Sequence, residues 1–480
     1  MQLNAKQTEV KELVKASLRT SLRGGTPNQI LLLIHGPSGT GKTVALASIA
    51  TLFHDMDSTE LLFKGSPSEC SAQKLGGTFI NESTINASTF EGKKYFLIDD
   101  CSCLSAAHLQ LIDKVLWDPS DVTQDIVPFG GRTVVLFGDF SQHPPVEKHW
   151  DTLWWPNFTA LHAIRPFMQH TIVFSQDMTS QANDWVELTR RVRSFVTTAA
   201  DVAYLNKRIL VEIGTRITDG PTMEWPGGIV ITHSATKVLY WNLMYASCVS
   251  RASNKKLFIS RSTNELVLAS DDRFTEEHFA VISERLKVEC ALVGMLYIFE
   301  GMPVTVWRPG GCKVWGHVKD IVLDKREDTS REGKEYRLQY AIKEVTVRIA
   351  GEDLNSNPGM DELLVVRPIT VKYTVTHPAD EERTLTVERT QVPLKPRFAI
   401  MERDAIGEKY PRVIVDTHDG LNAFRSPYMA LTRVASNGQL YITCTLRAGE
   451  KVLDEVAVED LKEAIQKLEG DVYTVNNDVT

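Results

Sequence analysis

The chain has few cysteines and no long apolar run, and each absence excludes a class of protein. Its seven cysteines among 480 residues are an odd and sparse set, which does not make the disulfide framework of a small secreted protein. Apolar runs such as residues 30–34 are far shorter than the roughly 20 residues that cross a bilayer. The N-terminus lacks the apolar stretch of a signal peptide. We therefore expect an intracellular protein in a reducing compartment, with no membrane partner.

An excess of positive charge is also absent. The 53 lysines and arginines are outnumbered by 61 aspartates and glutamates, which gives a net charge of −8. Such a chain does not coat nucleic acid through bulk charge, although a local basic groove remains open. The content of 43% hydrophobic and 24% charged residues is typical of a soluble globular protein. The length predicts two to four domains.

Short apolar runs predict parallel sheets that are covered on both faces. The run at residues 30–34 leads into a glycine loop and a helical pattern at residues 44–53. The runs at residues 95–98 and 133–137 end in acidic residues, at the edge where open α/β sheets bind ligands. A further run at residues 229–232 precedes another helical pattern. We therefore predict an α/β fold with a second parallel-sheet domain.

The pattern changes in the later part of the chain. Residues 369–376 and 383–392 alternate β-branched with polar residues around a turn, which predicts a long hairpin. Runs typical of buried strands return at residues 413–415 and 440–442. We predict a first domain over residues 1–167, a second over 168–305 and 392–448, a β-rich insertion over 306–391, and a helix and tail over 449–480.

A glycine-rich loop lies between the first predicted strand and the helix after it. Its residues fit the pattern GxxxxGK[ST] and are Gly36, Pro37, Ser38, Gly39, Thr40, Gly41, Lys42 and Thr43. Glycines let backbone N–H groups close around a phosphate at a helix N-terminus. In this pattern the lysine reaches the β- and γ-phosphates and the threonine holds Mg²⁺. Because a chance glycine turn would not need this strand and helix, we interpret the loop as a P-loop for ATP.

Two aspartates follow the apolar run at residues 95–98. Asp99 fits the carboxylate that orders Mg²⁺, and Asp100 fits the base that polarises the attacking water. The solvated end of a strand would show the same pair of residues. The P-loop upstream favours the catalytic interpretation.

Three further segments carry a resemblance to a known family. Residues 128–131 (PFGG) with 138–146 (GDFSQHPPV), and residues 428–433 (YMALTR), resemble the blocks PFGG…GDFxQLPPV and YVALSR of superfamily 1B DNA helicases. The closest group is the petite-integration-frequency (PIF) family. The resemblance implies that Gln142 senses the γ-phosphate and that Arg433 reaches it from the second domain. Residues 3–7 (LNAKQ) are similar to the adenine-reading LNxxQ, with Gln7 on the base, although a polar helix face would read the same.

The segment from residue 66 to residue 81 resembles the family segment that contacts single-stranded DNA. The resemblance implies DNA contacts by Pro67, Ser68, Phe79 and Asn81. An ordinary turn and loop accounts for this stretch equally well.

The resemblance implies two RecA-like domains with an SH3-like, β-rich insertion in the second. It also implies an ATP hydrolase that needs Mg²⁺ and moves 5′-to-3′ along single-stranded DNA as a helicase or translocase. We expect a monomer with ATP in the cleft between the domains. The family is compatible with a nuclear or mobile-element origin, and protein partners are not indicated.

Two departures from the family concern hydrolysis. Asp100 stands where the family has glutamate, which withdraws the carboxylate by about one C–C bond, roughly 1.5 Å. A misplacement of about 1 Å can cost on the order of 10²-fold in rate. Residues 178–181 lack the family arginine. Arg190, Arg191 or Arg193 would replace it unless they lie on a solvated helix face, which is the expected position.

A third departure concerns coupling to DNA. Residues 399–407 (AIMERDAIG) keep only the alanine and the last glycine of the family segment that links the nucleotide to the DNA backbone. Two other interpretations therefore stand beside the helicase. One is a degenerate helicase-like nucleotide-binding protein that acts as a scaffold or switch without unwinding. The other is an RNA-directed helicase, which would share the ATPase residues.

Overall fold

The structure of the protein is a computed structural model, which covers most of the first 446 residues. It describes residues 3–117, 127–145, 152–153, 163–167, 170–178, 183–194, 197–209, 228–267, 292–308, 313–328, 333–349, 362–377, 380–424, 426–434 and 440–446. Within these ranges no helix combines the length and the apolar character needed to cross a bilayer. The predicted C-terminal helix and tail lie outside the described residues.

Six parallel strands form the first sheet, in the spatial order β3-β2-β4-β5-β1-β6. Their bounds are β1 Leu31–His35, β2 Leu62–Ser66, β3 Thr78–Phe79, β4 Tyr95–Ile98, β5 Thr133–Gly138 and β6 Thr171–Val173. Alternate residues of β1 point to opposite faces, with Leu33 in one apolar cluster and Leu32 and Ile34 in another. Both faces are therefore covered, as the continuous apolar runs predicted.

Helices cover the two faces of this sheet. They are α1 Ala5–Leu22, α2 Lys42–Asp55, α3 Glu69–Lys74, α4 Ala87–Phe90 and α5 Ala106–Leu116. Helices α1 and α2 pack on one face and α5 packs on the other. Helix α1 begins with a reciprocal capping box between Asn4 and Gln7, which satisfies two backbone donors at its first turn.

A second parallel sheet has four strands in the order β19-β7-β20-β21. They are β7 Ile229–Thr232, β19 Ala399–Met401, β20 Val413–Val415 and β21 Leu440–Ile442. The helices of this region are α6 Asn183–Arg193, α7 Ala199–Asn206, α8 Ala235–Ala252 and α9 Pro427–Leu431. Helices α6 and α7 join one apolar cluster with the sheet, and α8 packs on the other face. The predicted second α/β sheet is confirmed.

The chain between these elements is rich in antiparallel strands. Five of them form one sheet in the order β15-β14-β12-β11-β18. Their bounds are β11 Pro303–Trp307, β12 Lys313–Val322, β14 Glu344–Ile349, β15 Glu362–Val366 and β18 Leu394–Pro396. Two three-stranded sheets lie beside it in sequence, β10-β8-β13 and β16-β17-β9. Their strands are β8 Leu257–Arg261, β9 Thr263–Val267, β10 Met295–Ile298, β13 Glu335–Arg337, β16 Ile369–His377 and β17 Asp380–Gln391.

The predicted long hairpin is the pair β16 and β17, which are antiparallel from Ile369↔Gln391 onward. The β-rich character of this region is therefore as expected. Its SH3-like classification and the domain boundaries stay predictions.

Candidate nucleotide site and nucleic-acid surface

The P-loop connects β1 to α2, as the sequence predicts. Gly39 and Gly41 have positive φ angles of 89° and 80°, a region that glycine enters without the steric cost of a side chain. The Lys42 ammonium donates to the carbonyl oxygens of Gly36 and Pro37 at 2.7 and 2.9 Å. The loop therefore curls around its own lysine.

Gln7 fastens α1 to the P-loop. Its side chain is buried, and its Oε1 accepts from the backbone N–H of Asn4 at 2.9 Å. Its Nε2 donates to the carbonyl oxygens of Thr40 and Gly41, both at 3.3 Å. Gln7 thus lies against the nucleotide loop, and its predicted contact with adenine stays a prediction.

Thr43 and Asp99 form the candidate metal site. The Thr43 hydroxyl donates to Asp99 Oδ2 at 3.1 Å, so two oxygen ligands of the kind Mg²⁺ prefers lie side by side. Burial raises the pKa of the Asp99 carboxyl to about 7, and the nearby Asp100 carboxylate adds to the rise. A divalent cation here would favour the ionised form of Asp99. The residues present therefore fit Mg²⁺.

Asp100 occupies an unusual backbone position beside Asp99. Its φ is 50°, which is uncommon for a residue with a side chain. Its N–H donates to Asp99 Oδ1 at 3.0 Å, and its Oδ2 accepts from the Ser66 hydroxyl at 3.4 Å. The carboxylate of Asp100 is only partly buried, so water can reach it.

Arg193 corrects an expectation from the sequence. It was expected on a solvated helix face, but only 6% of its side chain is exposed, and it forms an ion pair of 3.1 Å with the fully buried Asp139. Asp139 follows β5 and precedes Gln142, whose N–H donates to the Asp139 carbonyl at 2.9 Å. An arginine of α6 therefore anchors the turn that carries Gln142. The helical pattern of the sequence does not reveal that Arg193, the last residue of α6, faces the end of β5.

The other two arginines of α6 follow the expectation. Arg191 pairs with Asp201 of α7 at 2.7 Å and with Glu187 at 3.5 Å, and Arg190 is exposed. Of residues 178–181, where the family arginine is missing, only Met178 lies within the described residues.

Helix α9 brings side chains of the second sheet to the P-loop. The Tyr428 hydroxyl accepts from the Ser38 N–H at 2.7 Å. Arg433 is buried and donates to the carbonyl oxygens of Met429 and Ala405 at 3.1 and 3.3 Å. Burial lowers the pKa of Arg433, while the Asp100 carboxylate favours its charged form. The motif at residues 428–433 thus contacts the P-loop through Tyr428.

The four predicted DNA contacts differ in their surroundings. Phe79 is 39% exposed and Pro67 is half-buried. Ser68 is buried and its hydroxyl caps α3 by accepting from the Ser71 N–H at 3.4 Å. Asn81 Oδ1 accepts from the N–H groups of Ser83 and Thr84 within its own turn. Pro67 and Phe79 are therefore the better placed of the four to meet a strand.

An aromatic and basic face of the five-stranded sheet was missed by the sequence reasoning. Trp307 lies beneath the ammonium groups of Lys395 and Lys313, 4.7 and 5.7 Å from its ring centre. Arg397 lies 5.8 Å from the ring of Trp315. Aromatic rings with flanking cations are the usual platform for stacked bases. The alternation of β11 and β12, with valines inward, is the signal that would have placed both tryptophans on one face.

This face adjoins α3, which lies within the predicted DNA segment. The Lys313 N–H donates to Glu69 Oε1 at 2.8 Å, and the Lys313 ammonium pairs with Glu69 Oε2 at 3.1 Å. On its other side α3 touches the turn after β19, because Lys74 donates to the Gly407 carbonyl at 3.0 Å and Cys70 to Glu408 at 2.9 Å. Residues 399–407, the segment that departs most from the family, therefore contact α3 through Gly407 and Arg433 through Ala405.

Comparisons with known proteins agree with this arrangement. Residues 66–152 match the family model described as PIF1-like helicase. The fold is similar to the Pif1 helicase from Candida albicans, with a TM-score of 0.64 and 17% identity over 97% of this chain and 100% of that chain. It is also similar to the Pif1 helicase from Bacteroides in complex with ADP-AlF3 and ssDNA, with a TM-score of 0.61 and 16% identity over 98% of each chain. No curated protein matches the sequence.

The fold and the glycine-rich loop are those of a P-loop protein with RecA-like parallel sheets. Within that class, the resemblance to PIF1-like helicases that the sequence motifs indicated is confirmed.

Proposed function

We propose that the protein is an ATP-dependent 5′-to-3′ helicase or translocase that acts on single-stranded DNA. One observation carries the proposal: Tyr428, on helix α9 beside the second sheet, contacts the P-loop of the first sheet, and Arg433 near the end of that helix interacts electrostatically with Asp100. A nucleotide at the P-loop would therefore touch both sheets. Hydrolysis would change the contact between them, which is what a translocating motor requires.

The site residues take distinct roles in this proposal. Lys42 and the loop N–H groups bind the phosphates, and Thr43 with Asp99 would hold Mg²⁺, which neutralises charge on the phosphates when bound. Asp100 accepts a proton from the attacking water. Gln142 and Arg433 respond to the γ-phosphate, and Gln7 places the base beside α1. The ion pair of Arg193 with Asp139 holds the Gln142 turn in position.

The aromatic face with Trp307 and Trp315, together with Pro67 and Phe79, supports a path for a single strand. Stacking on such rings tolerates any sequence, since every base has a π-face. The solved Bacteroides Pif1 relative is described in complex with ssDNA, which favours DNA over RNA. We expect the protein to work as a monomer on the strand.

A degenerate nucleotide-binding scaffold is the second candidate. It is favoured by the turn after β19, where Glu408 accepts from Cys70 and Gly407 from Lys74. These contacts close the space between α3 and the turn. If they persist with DNA present, the strand would be kept out and nucleotide binding would remain without translocation.

ATP hydrolysis by the purified protein separates the two candidates. The assay compares wild-type, Lys42→Ala and the surface control Lys207→Ala, each with and without single-stranded DNA or RNA of equal length. A motor predicts DNA-stimulated turnover that is lost only in Lys42→Ala, followed by unwinding of a 5′-tailed duplex. Turnover that ignores DNA, or nucleotide binding without turnover, would overturn the helicase proposal and favour the scaffold.

A further inference from the structure

Three cationic side chains converge on the P-loop from two different sheets. Lys42 comes from α2, Arg433 follows α9, and Lys409 follows the turn after β19. Their hydrogen bonds go to carbonyl and hydroxyl oxygens. Lys42 donates to Gly36 and Pro37, and Arg433 donates to Met429, Ala405 and Thr432. Lys409 donates to Ser38 and Thr432. Within the described part of the chain none of the three forms an ion pair with a carboxylate at salt-bridge distance.

Lys409 extends from the second sheet toward the nucleotide loop. Its ammonium lies 3.4 Å from the Ser38 hydroxyl and also donates to the Thr432 carbonyl. The residue is exposed as a whole, and its ammonium donates both to the P-loop and to the end of α9. Ser38 is therefore contacted by Lys409 at its side chain and by Tyr428 at its N–H.

The electrostatic surroundings of Lys409 are unfavourable for a charge in the free protein. Burial, together with the nearby Arg433 and Lys42, lowers the pKa of Lys409 to about 7 against the attraction of Asp177. If Lys409 served only to connect Ser38 with Thr432, a neutral hydrogen-bond donor would be sufficient. A polyanion that lies among the three charges would stabilise the cationic form of Lys409.

We propose that Lys409 is a phosphate-binding residue that contacts the terminal phosphates of a nucleoside triphosphate at the P-loop. It supplies, from the second sheet, positive charge at a site where residues 178–181 lack the family arginine. The inference rests on the proposed nucleotide site, although not on translocation. Neither composition nor spacing singled out this lysine, because it follows the segment that departs from the family.

Equilibrium binding of fluorescent ATP and ADP tests the inference in the full chain. The variants are Lys409→Met, which keeps the apolar stem, Lys409→Arg, which keeps the charge, and Lys207→Ala as an exposed lysine control. Losing a charge-assisted hydrogen bond weakens ATP binding by roughly 10- to 100-fold in Lys409→Met. ADP binding changes less, because the terminal phosphate is absent. Lys409→Arg and Lys207→Ala stay near wild-type, and thermal unfolding confirms that each variant is folded.

The pH dependence gives a second readout that a purely structural role would not produce. Lysine is cationic below its pKa, so wild-type affinity for ATP falls as the pH rises from about 7 to 9. In Lys409→Arg this fall disappears, because arginine stays charged throughout. The titration of ATP itself is common to both proteins and cancels in the comparison.

Two results would overturn the inference. One is ATP binding by Lys409→Met that equals wild-type, and the other is a pH profile shared by wild-type and Lys409→Arg. ATP binding that is undetectable in wild-type, or unchanged in Lys42→Ala, would instead overturn the proposed nucleotide site and this inference with it.

Discussion

The ion pair between Arg193 and Asp139 connects the two sheets, and its removal gives a sharp prediction. The side chains are 6% and 0% exposed, and Arg193 Nε also lies 3.1 and 3.2 Å from the two Asp139 oxygens. In Arg193→Met, Asp139 keeps its burial and loses this partner. Breaking a buried pair from one side costs about 3–5 kcal/mol. This is a large share of a typical total stability of about 5–15 kcal/mol.

Hydrogen exchange measured on α6 and β5 reports this loss as a lower free energy of local opening. The double variant Arg193→Met with Asp139→Asn removes the uncompensated charge, so it should be less destabilised than Arg193→Met alone. A double-mutant cycle then gives the coupling between the two residues.

The pH dependence has a definite sign. Burial alone would raise the pKa of Asp139, but Arg193, with His35 and Lys42, outweighs it and holds this pKa below its ordinary value. The pair therefore stabilises the fold above about pH 3.9, and this contribution is lost as the pH falls through the lowered pKa. In Arg193→Met the pKa of Asp139 rises, so the variant differs less from wild-type in its free energy of local opening at pH 5 than at pH 8. A difference in that free energy below about 1 kcal/mol at pH 8, or one that is no smaller at pH 5, would refute this reasoning.

Three further predictions concern the candidate sites. Tyr428→Phe removes the acceptor of the Ser38 N–H, so nucleotide titration should show an affinity raised by about fivefold; weaker binding would contradict this. Trp307→Ala should weaken single-stranded DNA binding by about 1–3 kcal/mol in fluorescence anisotropy, whereas the exposed Trp117→Ala should not. Gly36→Ala places a Cβ 2.2 Å from the Phe174 carbonyl oxygen, so it should lower the melting temperature and abolish nucleotide binding; a folded, binding variant would show that β6 can shift.

Much of the fold could be predicted because its signals are local. The apolar runs at β4, β7 and β20 correspond to observed strands, since strands buried on both faces need continuous apolar residues. The P-loop was predictable because the backbone of Gly39 and Gly41 and the chemistry of Lys42 are specified within eight neighbouring residues.

The rest of the site could not be predicted because it depends on contacts between distant residues. Arg193 meets Asp139 across 54 positions, and Lys409 meets Ser38 across 371. No local periodicity encodes which end of a helix faces another sheet. The occupied hydrogen bonds of Ser68 and Asn81 were also out of reach, because a capping residue and a DNA contact have the same polar character in sequence.

The turn after β19 contacts both the P-loop and α3, and so connects the two candidate sites. Within three consecutive residues, the Gly407 carbonyl and the Glu408 carboxylate accept from α3, while Lys409 reaches the P-loop. A ligand that moves the backbone of Lys409 would also move Gly407 and Glu408, the partners of Lys74 and Cys70. Linkage is reciprocal. A ligand that binds beside α3 would change the affinity for nucleotide by the same factor by which the nucleotide changes the affinity for that ligand. Three neighbouring residues at the end of this turn would thus couple the two sites through their shared backbone.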